Sequence, residues 1–303
     1  MNYKLLMKSL TKLKYYLAAI AAFSIWGTFS LVLRPLHAYP SLDILFYRVF
    51  SCAVLMSIIS IFFRRRLISE NLILLKNLPE KKRRGVIWLN LGASISLTVN
   101  WFSFIYVMNH VNVRATSVAY VICPVLTTLL AYCFLQDKLN RSQWVAVALS
   151  CLGCLLLSYA SIINMFYSGI IGFSYACYLI CQNRNIGFDK FLVLNFHILL
   201  SAIILLPFYP SYSGTIPTAL NFYFYVEMIA IIYTIVSILL NLYALNGLSS
   251  SKVGMILNIN PIISFLLSVA VFHETLEAIP VVAYSIIFIA IIVFNSNWFK
   301  STD

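Results

Sequence analysis

The sequence predicts an all-α membrane protein of ten transmembrane helices, built as two inverted five-helix repeats. Three observations carry that reading. First, 62% of the 303 residues are hydrophobic and 10% are charged, against about 45–50% and about 25% in an ordinary soluble domain. Thirty Lys, Arg, Asp and Glu side chains cannot clothe a water-soluble fold of this length, which excludes a cytosolic enzyme, a secreted module and a disordered chain. Second, the apolar residues gather into ten runs, each near the roughly 20 residues that cross a bilayer. Third, one half of the chain repeats a pattern of the other at a fixed offset.

The elements follow in order. Lys4, Lys8, Lys12 and Lys14 precede an apolar run from Tyr15 to about Leu33. The run is too long for a cleaved signal segment, so it is the first span. The others are expected at 42–63, 85–108, 112–135, 142–160, 163–183, 190–209, 221–245, 250–272 and 277–297. All are helices, because an open sheet leaves its backbone unsatisfied in lipid. With the N-terminus inside, eighteen Lys and Arg face the cytoplasm and only Arg34 and Arg114 face outward, with Arg48 inside a span. That asymmetry predicts both termini cytoplasmic, an even number of spans and a multi-pass protein of the plasma (bacterial inner) membrane. It also explains the net charge of +12 without a nucleic-acid partner. Loop 64–84 holds eight of the basic residues together with Leu72, Leu75 and Leu78. Two readings stand for it: a segment lying on the anionic inner surface, or a solvated basic loop.

The repeat is a self-match. Tyr106, Asn109, Pro124, Asp137 and Leu139 recur as Tyr243, Asn246, Pro261, Glu274 and Leu276, each 137 residues on, without a gap. Span six (Gly172, Phe173, Ser174, Tyr175) loosely echoes span one (Ala22 to Trp26) at a slightly larger offset. The unit is therefore five spans, with the halves at 1–161 and 162–303. An odd unit inserts its second copy upside down. Two inverted halves enclosing a midplane site that opens to each side in turn is a carrier arrangement.

The residues that carry chemistry are few. Arg48 in span two costs about 2.5–3.5 kcal/mol to insert, so it needs a partner or a wet cavity. It holds either an anionic group of a solute or a structural partner. Glu227 in span eight is expected at a similar depth and is a candidate to pair with Arg48 or to carry a proton. His197 in span seven is a second proton-coupling candidate, or else a hydrogen-bonded packing residue. Pro124 and Pro261 free a backbone carbonyl one turn earlier, which suits paired hinges. Trp26, Asn100, Trp101, Tyr120, Tyr175, Asn241 and Asn258 complete the expected substrate lining: rings give tolerant stacking and amides give orientation. Such a lining suits an amino-acid-like or aromatic metabolite or drug. Cys52, Cys123, Cys133, Cys151, Cys154, Cys177 and Cys181 all fall in apolar runs and read as buried free thiols. No metal or cofactor is expected, and the partners are a small-molecule substrate and membrane lipid. The protein is expected to be a monomer or weak dimer.

Several strings resemble the EamA family of the drug/metabolite transporter superfamily, in its RarD-type branch of chloramphenicol-sensitivity proteins. They are Ile25-Trp26-Gly27, Asp43-Ile44-Leu45 with Tyr47-Arg48-Val49, the run Asn100-Trp101-Phe102 through Tyr106 to Asn109, Ser117 with Tyr120 and Pro124, and Gln143-Trp144 with Ala146-Val147. The resemblance spans essentially the whole chain. It implies a ten-helix inner-membrane carrier of small organic metabolites or drugs, usually an exporter; relatives include amino-acid exporters and some uptake carriers of nucleotide-like compounds. One departure is visible. The family pattern ends the central-proline helix with Gly-Glu, whereas this chain has Gln136-Asp137 and His273-Glu274. The acid is kept and the glycine is lost twice, so the tight turn is made another way.

Two other classes compete. An intramembrane enzyme needs clustered acids or metal ligands; His273-Glu274 opens like a zinc-protease motif, but Glu277 stands where the second His is required. A channel needs a selectivity filter or a ring of charges, and the sequence has neither. With 10 Gly in all and no phosphate-binding loop, the chain is not itself an ATPase.

Overall fold

The computed structural model describes residues 3–110, 113–158, 162–185, 187–271 and 278–300. Every regular element among the described residues is helical. The chain runs through α1 (Tyr3–Gly27), α2 (Phe29–Leu33), α3 (Ser41–Phe63), α4 (Arg65–Asn77), α5 (Glu80–His110), α6 (Val113–Leu135) and α7 (Arg141–Ser158). It continues through α8 (Ile162–Arg184), α9 (Lys190–Leu205), α10 (Tyr209–Tyr212), α11 (Leu220–Met228), α12 (Ser237–Ala244), α13 (Ser250–Ile256), α14 (Ile259–Ala270) and α15 (Ala278–Lys300). The protein is an all-α membrane protein. Among the described residues six segments are long and apolar enough to cross a bilayer: Leu13–Leu36, Ser41–Phe63, Met165–Arg184, Lys190–Tyr212, Leu220–Ala244 and Ser250–Leu267. Ala119–Leu135, Arg141–Leu157 and Val281–Asn295 are shorter apolar helices, and α5 is a 31-residue helix whose first turns are basic.

Helices form because these segments are apolar on all sides, and only a helix bonds its own backbone within one segment. Local sequence sets their starts. Asp189 caps α9 by accepting from the Leu192 N–H at 3.0 Å, and Ser249 caps α13 through the Lys252 N–H at 3.4 Å. Asn140 and Gln143 close a reciprocal box at the start of α7. The Gln143 N–H donates to Asn140 Oδ1 at 2.9 Å, and the Asn140 N–H donates to Gln143 Oε1 at 3.0 Å.

The bundle is knitted across its halves. α6 lies along α8, α7 along α15, α5 along α8 and α9, α1 along α12 and α14, α13 along α6, and α3 along α9. Glycines stand at several of these crossings. A Cβ on Gly27 would stand 2.7 Å from Ile263 Cβ on α14, and one on Gly172 would stand 3.2 Å from the Ala119 carbonyl of α6. Small residues let backbones approach in this way where no hydrophobic force separates helix from lipid.

Three departures from the expected elements stand out. Loop 64–84, expected as either a surface-lying segment or a solvated basic loop, contains a helix, α4, and the start of α5. The eighth expected span is interrupted by a π-helical stretch, Ile229–Val236. The ninth breaks at Leu257–Asn258, between α13 and α14, three residues before Pro261, whereas Pro124 sits inside a continuous α6. The cysteines also differ from expectation: Cys133 is exposed and Cys151, Cys177 and Cys181 are half-buried, while Cys52, Cys123 and Cys154 are buried. Position, not composition, decides which side of an all-apolar helix a thiol occupies. Glu274, Leu276, His273 and Glu277 lie outside the described residues.

Candidate functional site

The candidate substrate site gathers around Arg48 of α3. Its guanidinium carbon lies 5.0 Å from the centre of the Trp101 ring on α5, a cation–π contact. No carboxylate is within ion-pair distance of it among the described residues. Its Nε is buried with no hydrogen-bond partner, a costly condition for a charged group. Tyr120 of α6 and Cys52, one turn further along α3, lie within electrostatic reach of it. Tyr120 in turn is within reach of Tyr175 on α8 and packs at 5.5 Å on Phe104. The Tyr175 hydroxyl accepts from Asn241 Nδ2 at 3.1 Å, and its ring meets Trp26 edge-on at 5.9 Å. The Trp26 indole N–H donates to the Tyr233 carbonyl of the π stretch at 2.5 Å. Trp26, Arg48, Trp101, Tyr120, Tyr175 and Asn241 thus form one chain of rings, amide and cation across six helices from both halves.

Other expected residues lie apart from that chain. Asn100 donates to the Ile171 carbonyl at 2.9 Å and pins α5 to α8. Asn258 is buried in the break before α14 with neither amide atom partnered, and Asn241 Oδ1 is likewise unpartnered. Glu227 does not pair with Arg48. It accepts a short hydrogen bond from Ser51, one turn along the same face of α3.

His197 is fully buried in a polar knot. Asn90 Oδ1 faces its Nε2 at 3.0 Å and also accepts from Asn185 Nδ2 at 2.9 Å. Gln182 Nε2 faces its Nδ1 at 3.4 Å. A neutral imidazole protonated on Nε2 satisfies both contacts, so the ring ties α5, α8 and α9 together.

Each end of the bundle carries its own fastening contacts. At the basic end, Arg64 Nη1 pairs with Asp189 at 3.2 Å and its guanidinium stacks 4.5 Å from Phe191. Asp137 accepts from the Ser251 hydroxyl at 2.7 Å, joining the α6–α7 turn to α13. At the opposite end the Gly214 N–H donates to both oxygens of buried Asp43, at 3.0 and 3.1 Å. Tyr47, Tyr209, Phe222 and Tyr223 close an aromatic cluster beside it, with the Tyr47 and Tyr209 hydroxyls 3.2 Å apart. Sequence reasoning had no access to Asp43, Asn90 or Gln182 as fastening points. Their one visible signal is shared with Arg48 and His197: a polar side chain inside an apolar run.

Comparison with known proteins identifies the family and the fold. The model of the EamA-like transporter family matches residues 13–159 and again 162–296. The chain is similar to the uncharacterised transporter YojE of Bacillus subtilis, 28% identical over 285 residues and 92% of each protein. It is also similar to Protein RarD of Escherichia coli, 26% identical over 286 residues and 92% of each. A crystal structure 12% identical in sequence superposes with a TM-score of 0.69 over 95% of this chain and 99% of its own, a likeness of fold alone. This chain therefore belongs to the EamA-like transporter family and is a membrane transporter rather than an enzyme.

Proposed function

We propose that the protein is a secondary carrier that exports a small organic solute, amino-acid-like or aromatic, by alternating access across the bacterial inner membrane. Ten spans form two inverted five-helix repeats, residues 1–161 and 162–303, with both termini cytoplasmic. The packing pattern supports this. Exchanging spans one to five for six to ten turns the α1–α12 contact into α8–α5 and the α1–α14 contact into α8–α6. The same exchange returns α3–α9, α6–α13 and α7–α15 to themselves. The double match of one family model to the two halves supports it as well.

The observation that carries the substrate reading is Arg48: a cation among rings, on the face of Trp101, without a carboxylate. A solute carboxylate supplies the missing charge, and Trp26, Tyr120 and Tyr175 offer faces and edges to its apolar body. Asn241 brings an unpartnered amide oxygen to orient it, and Asn258, apart from the ring chain in the break before α14, holds a second unpartnered amide. Pro124, Pro261 and the break at Leu257–Asn258 supply the bends. Glu227, held by Ser51, is the remaining proton-coupling candidate; the bonding of His197 favours a packing role.

A thermal-shift screen of the purified protein against amino acids, nucleotides and aromatic drugs identifies the ligand, since a compound that binds only the folded state raises its apparent stability. In flux assays Arg48→Ala abolishes transport of an anionic or zwitterionic solute and leaves a neutral one little changed. Equal loss for both, at normal expression, assigns Arg48 to structure instead.

A further inference from the structure

We propose that α4 and the first turns of α5 form a docking site for the headgroups of anionic phospholipid, which hold this corner of the protein on the bilayer surface. α3 ends at Phe63 and α4 begins at Arg65, so one residue makes the corner and α4 starts where the chain leaves the membrane. Phe62 and Phe63 are 74% and 82% exposed, and Trp88 on α5 is 73% exposed. An exposed tryptophan such as Trp88 is the kind of amphipathic ring that sits at the membrane interface, and the exposed phenylalanines beside the corner add apolar surface there.

No residue of α4 is buried, yet the helix is fixed in place. Asn71 Oδ1 accepts the Asp189 N–H at 3.2 Å, Arg64 pairs with the same Asp189, and Leu74 lies against Gly187. Helical spacing puts Leu67, Ile68, Asn71 and Leu75 on one arc, with Leu72 and Leu74 at its two edges. The edge residues Leu72 and Leu74 remain 52% and 38% exposed, apolar surface at headgroup depth.

Charge identifies the occupant. Residues 64–84 carry eight Lys and Arg against Glu70 and Glu80. Arg64, Arg66 and Arg84 are engaged with Asp189, Glu70 and Glu80. Arg65, Lys76, Lys81, Lys82 and Arg83 have no carboxylate within ion-pair distance among the described residues. A single-sign cluster repels itself, and a negatively charged leaflet relieves that repulsion while the exposed leucines enter its boundary. The chain between α9 and α11 at the other end, residues 206–219, has no Lys or Arg at all. The ligand class is a phosphodiester headgroup of net negative charge, such as phosphatidylglycerol, carried in a bilayer.

Trp88 is a built-in reporter, one turn beyond Arg84 on the same face. The full-length protein is reconstituted in phosphatidylcholine vesicles doped with either dibrominated phosphatidylglycerol or dibrominated phosphatidylcholine. The expected result is that the brominated phosphatidylglycerol quenches Trp88 at about one-fifth the mole fraction the other lipid needs, the gain of a single cation at such a surface. The preference disappears in Trp88→Phe, which identifies the reporting ring. It also disappears when Arg65, Lys76, Lys81, Lys82 and Arg83 are all changed to Gln. Equal quenching by the two lipids in the unaltered protein overturns the proposal, as does a preference that survives the five changes to Gln.

Discussion

Gln136 stands where the resemblance leads one to expect glycine, and its φ of 57° is the left-handed conformation that glycine adopts without strain. It is the one non-glycine residue with positive φ among the described residues. The turn after α6 is thus kept at the expense of local backbone energy. It is held by the Asp137 N–H bonding back to the Ala131 carbonyl at 3.3 Å and by the Asp137–Ser251 bond. Replacing Gln136 by Gly should raise unfolding stability by about 1 kcal/mol, read as a higher melting temperature in detergent. A lower one would show that the Gln side chain contributes more than its backbone costs. At Arg48 shape matters beside charge. Arg48→Lys keeps the cation and loses the flat guanidinium face on Trp101, so transport of an anionic solute should fall about tenfold, the larger end of a cation–π contact. Unchanged flux in that variant would mean that the stack with Trp101 plays no part.

Among the helices, regularity is unevenly shared. α5 and α6 run unbroken, Pro124 included, whereas the later apolar segments Leu220–Ala244 and Ser250–Leu267 carry the π stretch and the Leu257–Asn258 break. The wide turn is braced from within by the Thr234 hydroxyl on the Ile229 carbonyl at 3.0 Å and the Ser237 hydroxyl on the Ile232 carbonyl at 2.9 Å. It is braced from outside by Trp26 and by Cys52, whose thiol donates to the Ala230 carbonyl at 3.3 Å. π segments of this kind recur at functional sites. Helix crossings give a test of opposite signs. Gly27→Ala pushes a methyl into Ile263 and should destabilise by about 1–3 kcal/mol. Gly92→Ala meets nothing within 4 Å and should stabilise by up to about 1 kcal/mol through helix propensity. Reversible unfolding in mixed detergent reads both; a matching sign would mean that α1 and α14 can part freely.

For the molecule as a whole, the two ends are fastened by different chemistry. The basic end uses an ion pair and an amide–imidazole knot, and the opposite end uses Asp43 on a backbone amide beside a cluster of tyrosines. In the alternating-access cycle we propose, one set is undone while the other is kept. Orientation is testable in intact cells. A cysteine placed at Ile216, which is 71% exposed in the α10–α11 connection, should react with a membrane-impermeant maleimide. One placed at Lys76 should react only after the cells are opened. Labelling of both in intact cells would refute the inverted arrangement.

Sequence by itself determined that this chain lives in lipid, that it is helical throughout its regular structure, and which family it resembles. Hydropathy and the self-match between Pro124 and Pro261 are one-dimensional properties, and the bilayer converts them to helices because it offers the backbone no other partner. It also singled out Arg48, since an arginine among apolar residues is conspicuous whatever the fold. Only the tertiary structure decided which polar residues meet. Arg48 turned to Trp101 rather than Glu227, Glu227 to Ser51, His197 to Asn90 and Gln182, and Asn100 to a backbone carbonyl. In helices apolar on every side there is no hydrophobic stripe from which to read the facing direction. That direction is set by where glycines let neighbours approach and where each buried polar atom finds its partner. α4 is the opposite case: its leucines fall on one arc among two arginines, a lysine and a glutamate, so its two-sided character is readable in the sequence, and the tertiary structure decided which neighbours that arc meets.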